Sequence, residues 1–500
     1  MTGWGDGPFH RAVVTALRRH RVLLLCAAAL LPALLSPIAA QAASQSERAL
    51  AGVRQLIASG EVAADSVLRL GFKQGNVNAY LGNHLELQQE WEQQTGIVIE
   101  TRIIPQVRAQ EVITRTAGID LTVARNHEFP ELLPLGLIED LTPLFAEFGF
   151  RLDDDPDYGY IRPDLQAYLG DRIAAIPADG DVVIMYLRRD LMEDPAERAA
   201  FRKATGRELA IPETWSEYEA LIRFFHRPDH GLYGVAEERD PEDAWMFWLP
   251  RYLSQALPIQ PLFDARMRPL IDSPQGIAAT RSYVAAVLYS PPGITEPGNN
   301  YSYTMPLFIQ GKVFAAMNTL ASAKLFNADN SPVRGQFLAA PLPGTRIDGQ
   351  LVRRNTIIYG NNLVIPKGAA NRKLAFLYAM WITDPDLSAR SVGVRGGFTD
   401  PYRWHHLLDR RITDIYTAQA LQVFAESWPY TLPPGTGLPG DSEYLKVLDA
   451  NLTSAARGEI DAEKAMQRTA AAWERITDRL GRAAQARHWQ AFQSHFKVQQ

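Results

Sequence analysis

Two hydrophobic periods alternate between residues 66 and 123, and this alternation restricts the possible folds more than any other feature of the sequence. Leu68–Phe72 has apolar residues at every second position, as a strand does. Between residues 81 and 91 side chains recur at helical spacing, and Thr95-Gly96 ends that helix. Ile97–Ile104 and Ile119–Val123 have strand patterns again. A strand, a helix and a strand at this spacing indicate an α/β fold with a largely parallel sheet.

The loops that follow these strands form the predicted binding edge, because ligands of parallel α/β sheets lie beyond the carboxyl ends of the strands. The polar loop Gln74–Asn78 follows the first strand, and Arg125–Glu128 follows the third. Further strands are predicted at Arg172–Pro177, Val182–Leu187, Gly311–Asn318 and Asn361–Lys367. A chain of 500 residues is too long for one compact core, so we expect two or more lobes.

The first 42 residues have the composition of a cleaved secretory signal. Arg18–Arg21 is basic, and the apolar run Val22–Leu35 is shorter than the roughly 20 residues of a spanning helix. Ala40-Gln41-Ala42 matches a small-x-small cleavage pattern. The only cysteine, Cys26, lies in the apolar run, so we expect no disulfide in the mature chain. The whole chain has a net charge of −5, and without the first 42 residues it has a net charge of −8 and no basic run, which argues against nucleic-acid binding.

Short motifs occur in a fixed order along most of the chain. They are Glu90–Ile99, Leu135–Leu141, Asp181–Leu191, Pro212–Tyr218, Phe308–Lys312, Ala340–Gly344, Val364–Gly368 and Thr383–Pro385. In this order they resemble the motifs of family 1 extracellular solute-binding proteins, which serve carbohydrate ABC importers. Glu90–Ile99 resembles the family's F-E-x-x-T-G-I-x-V, and Asp181–Leu191 resembles a segment that ends in L-Y-Y-R-K-D-L. Gly396–Trp404 departs from the family's commoner G-x-x-P-x-R, which leaves the ligand subtype open.

The resemblance implies a two-lobed periplasmic-binding-protein fold, type II-like, in which a hinge joins two α/β lobes. It divides the chain into a signal peptide (1–42), a helical lead segment (43–65), a first lobe (66–178 and 336–385) and a second lobe (181–333 and 388–490). It further implies a monomeric periplasmic protein without a cofactor. Such a protein closes over a sugar or polyol and delivers it to the ABC permease subunits at the inner membrane.

The candidate ligand-binding residues are chosen for the chemistry of a sugar. Hydroxyl groups require carboxylates and amides as partners, and the apolar face of the ring requires an aromatic plane. Asp179 and Asp181 flank Gly180 where the resemblance places a crossing between lobes, and either could instead cap a turn. Trp245 and Trp248 share a helical face, and core packing is an equally good interpretation for each. The remaining candidates follow strands or lie in polar and aromatic loops: Asn76, Asn126, Glu128, Tyr301, Asn318, Asn361 and Trp404.

Three alternatives compete with this interpretation. A secreted glycoside hydrolase could use Asp179 and Asp181 as its two acids, but no other motif supports catalysis. A binding protein that serves a sensor would have the same sequence features. A calcium loop is suggested by Asp153, Asp155 and Asp157, but its sharp-turn glycine is displaced to Gly159, so we predict a solvated turn and no metal.

Overall fold

The computed structural model describes residues 43–105, 107–153 and 159–493. The predicted signal peptide lies outside these residues, as do Asp155 and Asp157 of the calcium-like pattern. In the described parts of the chain, no helix has both the length and the hydrophobicity needed to cross a membrane.

The secondary structure alternates between strands and helices along most of the chain. The strands are β1 (Val67–Lys73), β2 (Val98–Ile104), β3 (Leu121–Arg125), β4 (Tyr168–Leu169), β5 (Arg172–Ile173), β6 (Ile184–Arg188), β7 (Tyr233–Glu237), β8 (Val313–Asn318), β9 (Phe337–Ala340), β10 (Thr345–Ile347), β11 (Gln350–Val352), β12 (Asn355–Thr356), β13 (Asn361–Val364) and β14 (Thr431–Leu432). The helices of the N-terminal half are α1 (Gln45–Ala58), α2 (Gln74–Leu81), α3 (Glu86–Thr95), α4 (Ala109–Arg115), α5 (Phe129–Leu132), α6 (Thr142–Phe148), α7 (Pro163–Gln166), α8 (Arg189–Glu193), α9 (Pro195–Thr205), α10 (Trp215–Phe224) and α11 (Ala244–Leu253). Those of the C-terminal half are α12 (Pro274–Val287), α13 (Tyr301–Ile309), α14 (Ser322–Phe326), α15 (Arg372–Ile382), α16 (Pro385–Val392), α17 (Arg410–Thr413), α18 (Ala418–Ser427), α19 (Asp441–Ala456), α20 (Ala462–Leu480) and α21 (Arg482–Gln493).

The sheet of the first lobe has the strand order β13-β3-β1-β2. β1 pairs in parallel with β2 and β3, which confirms the strand–helix–strand prediction, and β13 is antiparallel to β3. Leu68, Leu70 and Phe72 of β1 are fully buried. The prediction of a loop at Gln74–Asn78 is wrong, because these residues begin α2. This helix buries Tyr80 against Phe72. β1 and β3 both end at the edge that faces the second lobe.

The sheet of the second lobe has the order β7-β8-β6-β9 and is mainly antiparallel. β6 leaves the crossing between the lobes and runs away from it, whereas β8 and β9 run back toward it. The expectation of parallel strands therefore holds here only for β7 and β8. Residues 336–340 were expected in the first lobe, but β9 pairs with Met185–Arg188 of β6 in the second sheet.

Helix ends and faces follow local sequence signals. The lead segment forms α1, which begins in a capping box between Ser44 and Glu47 and packs on α15. Thr214 caps α10 as its sequence predicts, since its hydroxyl accepts a hydrogen bond from the backbone N–H of Glu217. α20 is an amphipathic helix near the C-terminus, and its apolar stripe buries Met466 and Trp473.

Antiparallel crossing segments join the two lobes. Residues 174–184 connect β5 to β6, and residues 353–361 return to β13. Ile176 bridges Leu363, and Val182 bridges Ile357, so the two segments lie side by side. β12, on the returning segment, pairs in parallel with β14. Strand ends from both lobes and the crossing segments therefore meet along one cleft.

Candidate functional site

A cavity lies in this cleft, with about 600 Å³ of empty volume when the open solvent at its mouth is included. The first lobe contributes the end of β1 and the start of α2, and the second lobe contributes the end of β8 and the first turn of α13. The crossing segments form its floor. The structure brings six of the candidate residues to its walls: Asn76, Asp179, Asp181, Tyr301, Asn318 and Asn361.

The floor holds three carboxyl groups close together. The backbone N–H of Asp400 donates a hydrogen bond to Asp179 Oδ1 (2.8 Å), and the Asp181 carboxyl group lies near the carboxyl groups of both Asp179 and Asp400. Burial raises the pKa of Asp179 to about 8, with a further contribution from the charge of Asp400. Burial and both neighbouring acids raise the pKa of Asp181, and burial raises that of Asp400 to about 6. The group therefore retains protons at neutral pH.

Two features hold Asp400 over the first crossing segment. A Cβ on Gly180 would lie 1.9 Å from the carbonyl oxygen of Pro401, so only glycine permits this approach. Lys324 is buried beneath the same loop, where its ammonium donates to the carbonyl oxygens of Gly397 (3.2 Å) and Thr399 (2.7 Å), and to that of Val392. Burial lowers the pKa of Lys324 to about 8, although the nearby acids oppose this shift.

The opposite wall carries positive charge and links the lobes. Arg125, at the end of β3, forms an ion pair of 2.8 Å with Asp243, which precedes α11 in the second lobe. The Arg125 guanidinium also lies over the ring of Tyr359, 5.0 Å from its centroid. Tyr359 belongs to the returning crossing segment, and its hydroxyl donates to Glu238 of the second lobe. Lys73 lines the cavity beside Arg125.

Aromatic rings close the remaining side of the cavity. The ring of Tyr301 lies 5.9 Å from that of Tyr359 and 5.6 Å from that of Phe398, centroid to centroid. Sequence reasoning identified Tyr301 but missed the other two rings. A stacking plane for an apolar ligand face is therefore present, although it is not made of tryptophan.

Trp245 and Trp248 lie in the core of the second lobe, which agrees with the core-packing interpretation of the two. Trp248 is fully buried, its indole N–H donates to the Thr280 hydroxyl (2.8 Å), and its ring stacks on Tyr252. Trp245 is 1% exposed and contacts the His127 ring edge. All ten residues of α11 are buried, so no face of this helix meets the cleft.

Asn126, Glu128 and Trp404 also lie outside the cavity wall. Asn126 bonds to neighbouring backbone and to Asn362, and it lines a separate cavity of about 1060 Å³ behind the crossing. The Glu128 carboxylate accepts backbone N–H groups of Ala109 and Arg125, both at 2.8 Å. Trp404 is half-buried against the core of the first lobe. Their polar or aromatic character serves packing and local structure.

Five cavity or cluster residues were missed by sequence reasoning: Lys73, Arg125, Tyr359, Phe398 and Asp400. Lys73 and Arg125 end β1 and β3, so the rule that placed Asn76 and Asn126 at the binding edge also applied to them. Phe398 and Asp400 lie in the loop that departs from the family motif. Among the described residues, no cluster of three or more His, Cys, Asp or Glu side chains is arranged to hold a metal ion.

Two α/β lobes joined by crossing segments, with one polar cavity between them, define a two-lobed solute-binding protein. The chain belongs to the family described as bacterial extracellular solute-binding protein, whose sequence model matches residues 85–388. A comparison with curated proteins finds no match.

Solved structures share the fold at low sequence identity. An ABC transporter solute-binding protein from Agrobacterium radiobacter K84 in complex with ribitol has a TM-score of 0.67 and 17% identity, over 83% of this chain and 99% of that one. T. maritima MalE3 with maltose bound has a TM-score of 0.66 and 19% identity, over 82% of this chain and 100% of that one. A solute-binding protein from Agrobacterium vitis S4 with bound D-mannitol has a TM-score of 0.64 and 17% identity, over 83% of this chain and 99% of that one. The two-lobed α/β fold predicted from the sequence is confirmed.

Proposed function

We propose that this chain is the periplasmic substrate-binding component of an ABC importer. It binds a sugar or polyol in the cleft between its lobes and delivers it to the permease subunits at the inner membrane. Membership of the extracellular solute-binding family supports the binding role. The ribitol, maltose and mannitol bound by proteins of the same fold support the ligand class.

The main observation in favour of a sugar or polyol is that polar groups without protein partners meet at the walls of the cavity. In the described parts of the chain, the Asn361 side-chain oxygen is buried without a hydrogen bond. The Asn76 amide and the Tyr301 hydroxyl also make no hydrogen bond there, and all three line the cavity. Buried polar groups without partners are unfavourable, so a ligand rich in hydroxyl groups would satisfy groups that the protein leaves unpaired.

Binding without turnover is the better reading of the acid cluster. A glycoside hydrolase needs one ionised carboxylate and one protonated acid on opposite sides of the scissile bond. Asp179 and Asp181 instead lie on one side, on the cavity floor, and burial raises the pKa of both. We propose that these groups hold solute hydroxyls.

The proposal extends to processing and to the division of the chain. We propose that cleavage near Ala42 releases a monomer into the periplasm. We propose a first lobe of 66–178 plus 361–385, with the second lobe formed by 181–340 and the C-terminal helices. The pairing of β9 with β6 supports this revision of the boundary at 336.

A binding screen of the mature chain, residues 43–500, tests the function. Thermal shift identifies ligands among ribitol, D-mannitol and maltose, with L-alanine as a solute without hydroxyl groups. Calorimetry should then give a stoichiometry near one, and chromatography should recover the ligand unchanged. Products in the incubation would favour the enzyme. Failure of every sugar and polyol, including their charged derivatives, to bind the folded protein would refute the proposal.

A further inference from the structure

Two lysine side chains are buried beside the cleft, and they differ in their partners. The Lys324 ammonium donates to three backbone carbonyl oxygens. Lys73 is 7% exposed and lines the cavity, yet within residues 43–105, 107–153 and 159–493 its ammonium makes no hydrogen bond or ion pair. A lysine side chain that is almost wholly buried, with an ammonium group that meets the cavity and no protein partner, is unfavourably placed, so this arrangement requires an explanation.

The nearby acids are committed to other groups. The Glu128 carboxylate accepts the backbone N–H groups of Ala109 and Arg125, and Asp243 is held by the Arg125 guanidinium. Burial and the charge of Arg125 lower the pKa of Lys73 to about 8, although the charges of Glu128 and Asp243 oppose this shift. Arg125 already has a carboxylate partner, and Lys73 does not.

The start of α2 adds a second feature that favours negative charge at the same place. Lys73 is the N-cap residue of this eight-residue helix, and no side chain caps the first turn. Gly75 and Asn76 of that turn line the cavity, and the Asn76 side chain is 7% exposed. Helix N-termini bind anions through their free N–H groups and the positive end of the helix dipole.

We propose that the transported solute carries an anionic oxygen group, a carboxylate or a phosphate, which the Lys73 ammonium and the first turn of α2 bind. Its hydroxyl groups then reach the floor of the cavity at Asp181 and Asn361. The inference rests on the proposed function and narrows its ligand class to a sugar acid or a polyol phosphate. The two ends of the cavity, one cationic and one acidic, would fix the orientation of the solute.

Calorimetry at constant ionic strength tests this inference with D-mannitol, D-mannitol 1-phosphate and D-gluconate. At least one of the two acids should bind about ten- to a hundredfold more tightly than mannitol, as expected for hydrogen bonds between charged groups. Lys73→Met should remove this preference and raise the melting temperature of the ligand-free protein. Lys203→Met, at an exposed position of α9, is the matched control and should change neither quantity. If Lys73→Met does not fold, Lys73→Gln takes its place in the same measurements of affinity and melting temperature.

The outcomes separate the inference from the function on which it rests. If mannitol binds as tightly as both acids, or if Lys73→Met keeps the acid preference, the inference is overturned and the sugar-binding role remains. If neither acid nor any neutral polyol or sugar binds the folded protein, both are overturned. A preference for phosphate over gluconate, or the reverse, identifies the anionic group.

Discussion

Replacement of Asp181 by alanine is the sharpest test of the cavity floor. Asp181 lies on the first crossing segment, lines the cavity and has its carboxyl group near that of Asp400. The pKa of Asp400 is about 6, so the Asp181–Asp400 pair carries negative charge at pH 7.5. A solute hydroxyl that donates to this pair therefore makes a charge-assisted hydrogen bond.

The expected loss of affinity in Asp181→Ala follows from the charge of this pair. Loss of a hydrogen bond to a charged group costs about 1.5–3 kcal/mol, which corresponds to a rise in Kd of roughly 10- to 150-fold. Asp181→Asn should cost less, because the amide can still donate to Asp400 and accept from the solute. The effect of Asp181→Ala on folding should be small, since removal of one of three crowded buried acids offsets the loss of its contacts.

Calorimetry with the solute identified by the thermal-shift screen measures Kd for the parent and both variants. Urea unfolding of the ligand-free proteins measures their stability. Asp65→Ala is the control, because Asp65 is exposed and lies before β1, at the end of the strand away from the cavity. Parent-like affinity of Asp181→Ala would refute the assignment. A large loss of stability with unchanged affinity would assign Asp181 to the hinge alone.

Three further predictions concern the floor, the core and the closure of the cleft. The pKa of Asp179 is about 8 in the folded protein and near 3.8 in the unfolded chain, so the free energy of unfolding falls as pH rises between these values. Urea unfolding at pH 5 and pH 8 measures this fall, and Asp179→Asn should reduce it by roughly 2 kcal/mol or more. An unchanged pH dependence in the variant would contradict this prediction. Trp248→Ala should lower the free energy of unfolding by about 3–5 kcal/mol and leave the affinity of the folded protein for its solute unchanged. Weakened binding by the folded variant would instead indicate that Trp248 contributes to the binding site. Arg125→Met breaks the ion pair with Asp243, and X-ray scattering should show a larger radius of gyration without ligand; an unchanged radius would mean that the pair does not hold the lobes together.

Elements with a local signal could be predicted from the sequence. Leu68–Phe72 lies within β1 because its alternating apolar residues fill one face of a sheet. Thr214 caps α10 because the capping box needs only residues three apart. Met466 and Trp473 are buried because one stripe of α20 faces the body. In each case the information lies within a few turns of chain.

The site could be predicted only in part, because it is assembled by long-range contacts. Asp181 was found from its place at a crossing, but Asp400 reaches it only because the loop at 398–403 packs on Gly180. No local pattern encodes that contact. For Trp248 a signal favours the core over the cleft: Ala244–Leu253 is apolar on nearly all sides, which is typical of a buried helix.

Tyr359 connects the cavity wall to both lobes through a strained backbone. It is one of the few non-glycine residues with a left-handed backbone, at φ 59°, a conformation that costs roughly 1–2 kcal/mol. Two contacts hold its side chain: the Arg125 guanidinium of the first lobe lies over its ring, and its hydroxyl donates to Glu238 of the second lobe. The same side chain lines the cavity. A solute that packed against this ring would therefore act directly on a strained residue of the returning crossing segment, because that residue already contacts both lobes.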